Sequence, residues 1–244
     1  MKKETWMTSL LLVFLWGLAA FVLDNEFLLP GPFDVVRSMI EHLNRPDFFS
    51  ILYSTTCRTL IGCLVSLICG SMLGVLCGNC PRVKSFFEPV HQLIKTIPNI
   101  TYILIVLIWL GQERSVSVIV FCILFPVFYG QFLVRTELIL KQIQDLFVVY
   151  PVSLKEKWLK VQIPMLLPEL FSSLKTGIGM GFKVCVMAEI LGQVGVGIGR
   201  QMNIGRLNLD LASVFGWTLW LILVSVLLQK SIDFVQKLTY RKST

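Results

Sequence analysis

Six apolar runs dominate this chain, at 6–23, 55–78, 93–110, 116–134, 166–191 and 211–228. Each is close to the roughly 20 residues that a helix needs to cross the hydrocarbon of a bilayer. Only 15% of the 244 residues are charged and 55% are hydrophobic, against roughly 25% charged in soluble proteins. Mean hydropathy is +0.74. In hydrocarbon the backbone must bond within its own segment, which favours helices. The expectation is an all-α integral membrane protein of about six transmembrane helices, forming one domain over residues 1–244.

Charge sets the expected orientation. Lys2 and Lys3 precede the first run, which can be read as a secretory signal or as a retained helix. It is longer than the roughly 7 to 15 apolar residues of a signal core, and no small-x-small site follows, so the retained helix is taken, with a cytoplasmic N-terminus. Arg82, Lys84, Arg135, Lys141, Lys155, Lys157, Lys160, Lys230, Lys237, Arg241 and Lys242 then fall inside. The outer segments mix Arg37, Arg45, Arg114, Arg200 and Arg206 with Asp24, Glu26, Asp34, Glu41, Asp47, Glu113 and Asp210. This asymmetry follows the positive-inside rule. It accounts for the net charge of +7 with no nucleic-acid partner, because the basic residues form no groove.

One polar, amphipathic interval stands out, inside a cytoplasmic loop of about 135–165. Ile143, Leu146, Phe147 and Tyr150 repeat at helical spacing, and Pro151 ends that helix. Ser153 with Glu156 forms a capping-box pattern that starts a second helix. Leu154, Trp158 and Val161 give it an apolar stripe beside Lys155, Lys157 and Lys160, and Pro164 and Pro168 are expected to close the unit.

The chemistry-bearing residues elsewhere admit more than one reading. Pro98 breaks a helix at membrane depth, so Lys95, Pro98 and Asn99 mark either a kinked helix lining a pathway or a packing feature. Lys175, Gly179 and Lys183 share a stripe at i, i+4 and i+8, with Glu189 further along. A mid-span ammonium needs water, a carboxylate or carbonyls, so Lys183 faces a pathway or pairs with another helix. Arg58 is read as structural pairing or snorkelling. Val36, Ile40 and Leu43 lie on one side of a surface helix at 33–43, either a dock for another protein or a plain connector. The glycine-rich 192–205 segment carries neither a Walker nor a dinucleotide pattern and is expected to be a flexible outer connector. Cys77 and Cys80 make only half of a tetrahedral zinc site and are read as incidental thiols; no metal is expected.

A family resemblance rests on particular residues. Permease subunits of bacterial ABC importers carry a cytoplasmic loop of the form Glu-Ala-Ala, three residues, Gly, nine residues, Ile-x-Leu-Pro. This chain resembles it at Asp145-Leu146-Phe147, Pro151 and Val161-Gln162-Ile163-Pro164, with the spacing kept and the glycine replaced by proline. From about Leu29 onward it is similar to the nitrate, sulfonate and taurine branch, at Pro30-Gly31-Pro32, Thr55-Thr56-Cys57-Arg58, Lys95-Thr96-Ile97-Pro98, Ala188-Glu189 and Gly195-Val196-Gly197.

The resemblance implies a type I importer fold in the bacterial cytoplasmic (inner) membrane. Two permease copies, taken as a homodimer, form the pathway for a small anionic or sulfonate-like solute. An extracytoplasmic solute-binding protein delivers the solute, and a separate ABC ATPase subunit uses ATP. This chain itself binds no cofactor and is not an enzyme. The coupling residues would be Asp145, Pro151, Ser153, Glu156, Trp158, Val161 and Pro164. Competing readings are an intramembrane enzyme, opposed by the absence of HExxH and GxSxG patterns, and a structural subunit without a pathway, opposed by Lys183.

Overall fold

The computed structural model describes residues 3–25, 27–149 and 153–241, and every regular element among them is helical. In order these are α1 (Lys3–Leu23), α2 (Pro32–Leu43), α3 (Phe48–Asn79), α4 (Pro81–Thr96), α5 (Asn99–Val149), α6 (Leu154–Glu156), a π-helical turn (Lys157–Gln162), α7 (Ile163–Gly192), α8 (Ile198–Leu207) and α9 (Leu211–Arg241). Among the described residues, three helical stretches are long and apolar enough to cross a membrane: Phe48–Asn79, Asn99–Ile143 and Leu211–Thr239. α7 is more polar, but its 30 residues reach about 45 Å at about 1.5 Å per residue.

The runs at 93–110 and 116–134 are two helices, as expected, divided at Gly111 with almost no loop between them. Both fall largely in α5, which turns back on itself at Gly111, where φ is 74° and ψ is −176°. Side chains other than glycine rarely adopt that conformation, and no atom lies within 4 Å of where a Cβ would stand. Glycine is needed there for its dihedrals rather than for space. The chain also breaks at Ile97, held extended at φ −70° and ψ 125° by the ring of Pro98. α4 and the 99–110 part of α5 therefore form one broken pass.

Side-chain contacts give the helix directions. Along α3, a Cβ at Gly62 would stand 2.6 Å from Ser117 O, one at Gly70 2.8 Å from Phe128 Cβ, one at Gly74 2.6 Å from Tyr129 O, and one at Gly78 2.7 Å from Thr136 Cβ. The numbers rise together, so α3 and the later part of α5 run parallel with their backbones nearly touching. Four-residue spacing puts these glycines, with Ser66, on one stripe. Ser66 Oγ donates to Gly62 O at 2.6 Å and to Phe121 O at 3.1 Å. α4 runs the opposite way against α5, with Lys84 Nζ 2.6 Å from Glu137 and His91 Nε2 3.1 Å from Pro126 O. α7 fills the third side, burying Ile178, Phe182 and Cys185 against Leu124, Phe128 and Cys63.

α2 and α8 cap one end of the bundle. Val36, Ile40 and Leu43 share the open side of α2, while Val35, Ser38 and His42 are buried. The His42 ring stacks on Trp217 at 4.3 Å, and Ser213 Oγ lies 3.0 Å from Nε2. Burial, reinforced by Arg45, holds this imidazole below the usual histidine range. α1 is attached near its far end, through Trp16 Nε1 donating to Pro30 O at 3.1 Å and stacking on Phe215.

The glycine stripe predicts a sharp contrast. Gly74→Val forces α3 away from α5 and should destabilise the chain by about 1–3 kcal/mol, the usual effect of overpacking. Gly130→Ala, whose nearest neighbour is 3.6 Å away, should be neutral. Thermal unfolding in detergent distinguishes the two; equal midpoints would show that the close approach is dispensable.

Candidate functional site

α4 is inside out. Phe86 is 73% exposed and Leu93 65%, while His91 is 8% exposed. Lys84, Glu88, His91 and Lys95 recur at helical spacing and turn toward α5, where they line a cavity of about 960 Å³ with Gln131, Arg135 and Glu137 of α5 and Glu169 of α7. A helix in water would hide its large apolar side chains; this one exposes Phe86 and Leu93 and buries His91, as a helix does between lipid and a polar interior. Gly130 clears the floor, since His91 Cε1 and Lys95 Nζ lie 3.6 and 3.8 Å from where its Cβ would stand. Lys95 thus lines the cavity, while Pro98 and Asn99 sit exposed at the break above it.

At the capped end a buried ionic knot ties four segments together. Glu189 of α7 is fully buried and accepts from Arg58 Nη1 at 2.7 Å, Thr55 Oγ1 at 3.0 Å and Gly199 N at 2.9 Å. Arg58 also donates to Val196 O at 2.7 Å and pairs with Glu113, just past the Gly111 turn. Glu113 accepts from Gly195 N, and Ile198 N donates to Thr55 Oγ1 at 2.8 Å. The glycines make room for the carboxylate: a Cβ at Gly197 would stand 2.5 Å from Glu189 Oε1, and one at Gly199 2.6 Å from Glu189 Cβ. The 192–205 segment is therefore not a flexible connector; it wraps the Glu189 carboxylate and continues into α8. Arg58 is a structural pair, and Glu189 turns to this knot rather than to the cavity. The sequence marked each residue but not their union, because Thr55 and Glu189 are 134 positions apart.

The amphipathic interval also differs from expectation. Its first helix is the last stretch of α5, and Asp145 lies there, with its side chain outside the described residues, as Pro151 is altogether. The capping box forms: Glu156 N donates to Ser153 Oγ at 3.3 Å and Ser153 N to Glu156 Oε2 at 3.4 Å. Lys160, then Ser153, hold the Glu156 carboxyl below its usual range. The second helix does not close at Pro164 or Pro168. Pro164 lacks an N–H and its ring crowds the carbonyl of residue 160; the chain inserts a π turn, with Ile163 N bonded to Trp158 O, and runs on into α7.

Of the apolar stripe, Trp158 and Val161 point inward, while the side chain of Leu154 lies outside the described residues. Trp158 lines an apolar groove with Met72, Leu76, Phe132 and Leu166, and Val161 packs on the core. Gln162, fully buried, donates to Asn79 Oδ1 at 2.8 Å, fastening the unit to the end of α3. What faces outward is Lys155, Leu159, Lys160, Ile163 and Pro164.

The expected stripe on α7 divides. Lys175 Nζ pairs with Asp233 of α9 at 2.7 Å and bonds Gln236 at 3.1 Å, and Gly179 also faces α9, where a Cβ would stand 3.4 Å from Gln229 Nε2. Lys183 has turned away and is exposed, on an open face with Thr176, Met180 and Met187.

With this geometry in hand, comparison with known proteins finds a family match. The model described as binding-protein-dependent transport system inner membrane component matches residues 70–243. The chain is similar to the putative aliphatic sulfonates transport permease protein SsuC of Bacillus subtilis (strain 168), at 25% identity over 202 residues, covering 78% of this chain and 71% of that protein. It is similar to the formylaminopyrimidine transport permease protein ThiX of Halalkalibacterium halodurans, at 26% over 187 residues, covering 75% and 73%. A third relative is the taurine transport system permease protein TauC of Escherichia coli (strain K12), at 23% over 195 residues, covering 75% and 69%.

The knot gives a direct expectation. Arg58→Met or Glu189→Leu leaves a charge without its main partner at low dielectric and should cost about 3–5 kcal/mol. The double variant should cost clearly less than the two single losses added together. Unfolding midpoints of the four proteins in detergent measure the coupling; simple additivity would mean that the pair acts as two independent groups.

Proposed function

The chain belongs to the binding-protein-dependent transport system inner membrane components, as an ABC transporter permease of the nitrate, sulfonate and taurine type, and from that membership we propose that it is the membrane-spanning subunit of an ATP-driven importer for a small anionic solute. The family match over residues 70–243 carries the reading, and the inside-out α4 over a polar cavity supports it. The helix directions fit six passes: α1, α3, α4 with 99–110, the rest of α5, α7 and α9. The α3–α4 junction then marks the cytoplasmic end, where Arg82, Lys84, Arg135, Lys155 and Lys160 gather. The N-terminus lies on that side too, and α2 and α8 face outward, where a solute-binding protein would dock.

Residues 153–164 form the coupling element, and a separate ATPase subunit is its partner. The outward residues Lys155, Leu159, Lys160 and Ile163 meet that subunit, while Trp158 and Gln162 transmit the contact into α3 and α7. A second copy of the chain completes the pathway across the open face of α7 that carries Lys183. An exposed ammonium near mid-span is costly against lipid, and a water-filled passage for an anion removes that cost. SsuC and TauC are named for aliphatic sulfonates and taurine, in keeping with a negative group on the solute.

Two experiments test these assignments. Leu159→Glu should reduce ATPase recovery with the purified permease by about tenfold, the effect of losing roughly 1.4 kcal/mol at an interface. Trp158→Glu should instead destabilise the permease itself. Undiminished ATPase binding by Leu159→Glu would place the interface elsewhere. For the pathway, Lys183→Met in a reconstituted complex should lower uptake about tenfold or more, roughly 1.4 kcal/mol of lost stabilisation, with assembly and basal ATP hydrolysis intact. Failure of assembly would instead make Lys183 a contact between copies.

A further inference from the structure

The α4–α5 cavity holds an imbalance that its residue list conceals. By count it is neutral, with Lys84, Lys95 and Arg135 set against Glu88, Glu137 and Glu169. By bonding it is not. Lys84 and Glu137 are paired at 2.6 Å. Glu88 accepts from Gln92 Nε2 at 3.2 Å, and Glu169 accepts from Ser173 Oγ at 3.4 Å. His91 spends its Nε2 on Pro126 O. Every carboxylate therefore has a donor, whereas neither Lys95 nor Arg135 has a hydrogen-bonded acceptor among the described residues. Arg135 Nε is buried without a partner, and so is Oε1 of Gln131 one helical turn before it.

A buried guanidinium N–H without an acceptor loses its hydration and gains nothing in return, a penalty larger for a charged group than for a neutral one. We propose that this cavity is an oxyanion site, with the Lys95 ammonium and the Arg135 guanidinium as its cationic contacts and the Gln131 amide beside them. The ligand class is a tetrahedral or planar oxyanion, such as a sulfonate, carboxylate or phosphate ester. Arginine suits such groups because its planar fork matches two oxygens at once. Gly130 leaves the floor open: a Cβ there would rest in ordinary contact with the His91 ring and Lys95 Nζ, at 3.6 and 3.8 Å, and a longer side chain would enter the space beside them. The same chemistry serves a solute leaving the pathway or the headgroup of an anionic lipid, since the exposed Phe86, Val90 and Leu93 of α4 put lipid beside the cavity.

The test uses the permease, with whatever subunits accompany it, in phosphatidylcholine nanodiscs. Sodium methanesulfonate and sodium sulfate should raise the unfolding midpoint above that in sodium chloride of equal ionic strength. Sulfate stabilises folded proteins generally by exclusion, so the diagnostic quantity is the difference between wild type and variants. That increment should be roughly halved in Lys95→Gln or Arg135→Gln and lost in the double variant. Lys95→Arg and the distant Lys237→Gln should retain it, which separates loss of the site from loss of the fold. In a second arm, phosphatidylglycerol replaces part of the neutral lipid with no small oxyanion present. A midpoint rise that depends on the same two residues there, and not in the first arm, identifies the lipid phosphate as occupant; the converse identifies a free oxyanion. No rise in either arm, or one undiminished in the double variant, overturns the proposal. The transport reading stands or falls separately, on ATPase recovery and uptake.

Discussion

A solvent that can neither donate nor accept a hydrogen bond constrains this chain more than any other factor. In hydrocarbon, apolar side chains gain nothing by hiding, so helices must be held together by close packing and by polar contacts. The structure uses both. The stripe from Gly62 to Gly78 lets α5 lie against α3 with backbone atoms where side chains would otherwise be. Dispersion over so long and tight a contact replaces the hydrophobic effect that would drive the same pairing in water. Lipid also explains why α4 can expose Phe86 and Leu93 while burying His91, an arrangement that would be unstable in a soluble bundle.

Polar contacts then fix what close packing leaves free. Two helices joined by a smooth small-residue stripe can slide; a salt bridge at a single height cannot. Arg58, Glu113 and Glu189 lock α3, the Gly111 turn and α7 at one end of the bundle. Asn79 and Gln162 lock α3 to the start of α7 at the other, and Lys175 with Asp233 locks α7 to α9. α7 takes part in two of them and continues directly from the π turn that makes the third. Any motion that changes the packing of α7 must break or carry along one of these ties.

Much of this was legible from residue order alone, and the parts that were not share a cause. The apolar runs, the break at Pro98, the capping box at Ser153 and Glu156, and a structural role for Arg58 depend on neighbours within a few positions or on transfer energies of single groups. The reversal between the runs at 93–110 and 116–134 was legible too, with Glu113 and Arg114 expected in an outer segment; that it hinges on Gly111 was not, because that information is a dihedral angle. The glycine-rich 192–205 segment was misread because a glycine needed for a carboxylate 8 or 10 residues earlier looks, in sequence, like one needed for flexibility. Trp158 was expected on an apolar stripe that meets an ATPase subunit, but the groove it lines is built by Met72, Leu76 and Phe132, far away along the chain. The bonding imbalance at Lys95 and Arg135 is invisible to any count of charges.

The divided stripe on α7 shows how a small geometric remainder becomes a functional distinction. At about 3.6 residues per turn, four residues advance the face by roughly 400°, and eight by roughly 800°. Gly179 is thus displaced by about 40° from Lys175 and remains on the α9 side, whereas Lys183 is displaced by about 80°. The near end of the stripe meets Asp233 and Gln236, and the far end has rotated out of that contact. A heptad partner for Lys175 would have stood at residue 182, and Phe182 there is buried in the core. Supercoiling of α9 around α7 would be required to keep Lys183 covered, and α9 instead departs toward α8 and α2, where Trp217 is buried against His42. The exposed ammonium is therefore a consequence of the helical turn angle, which carries Lys183 out of the contact that Lys175 makes with α9.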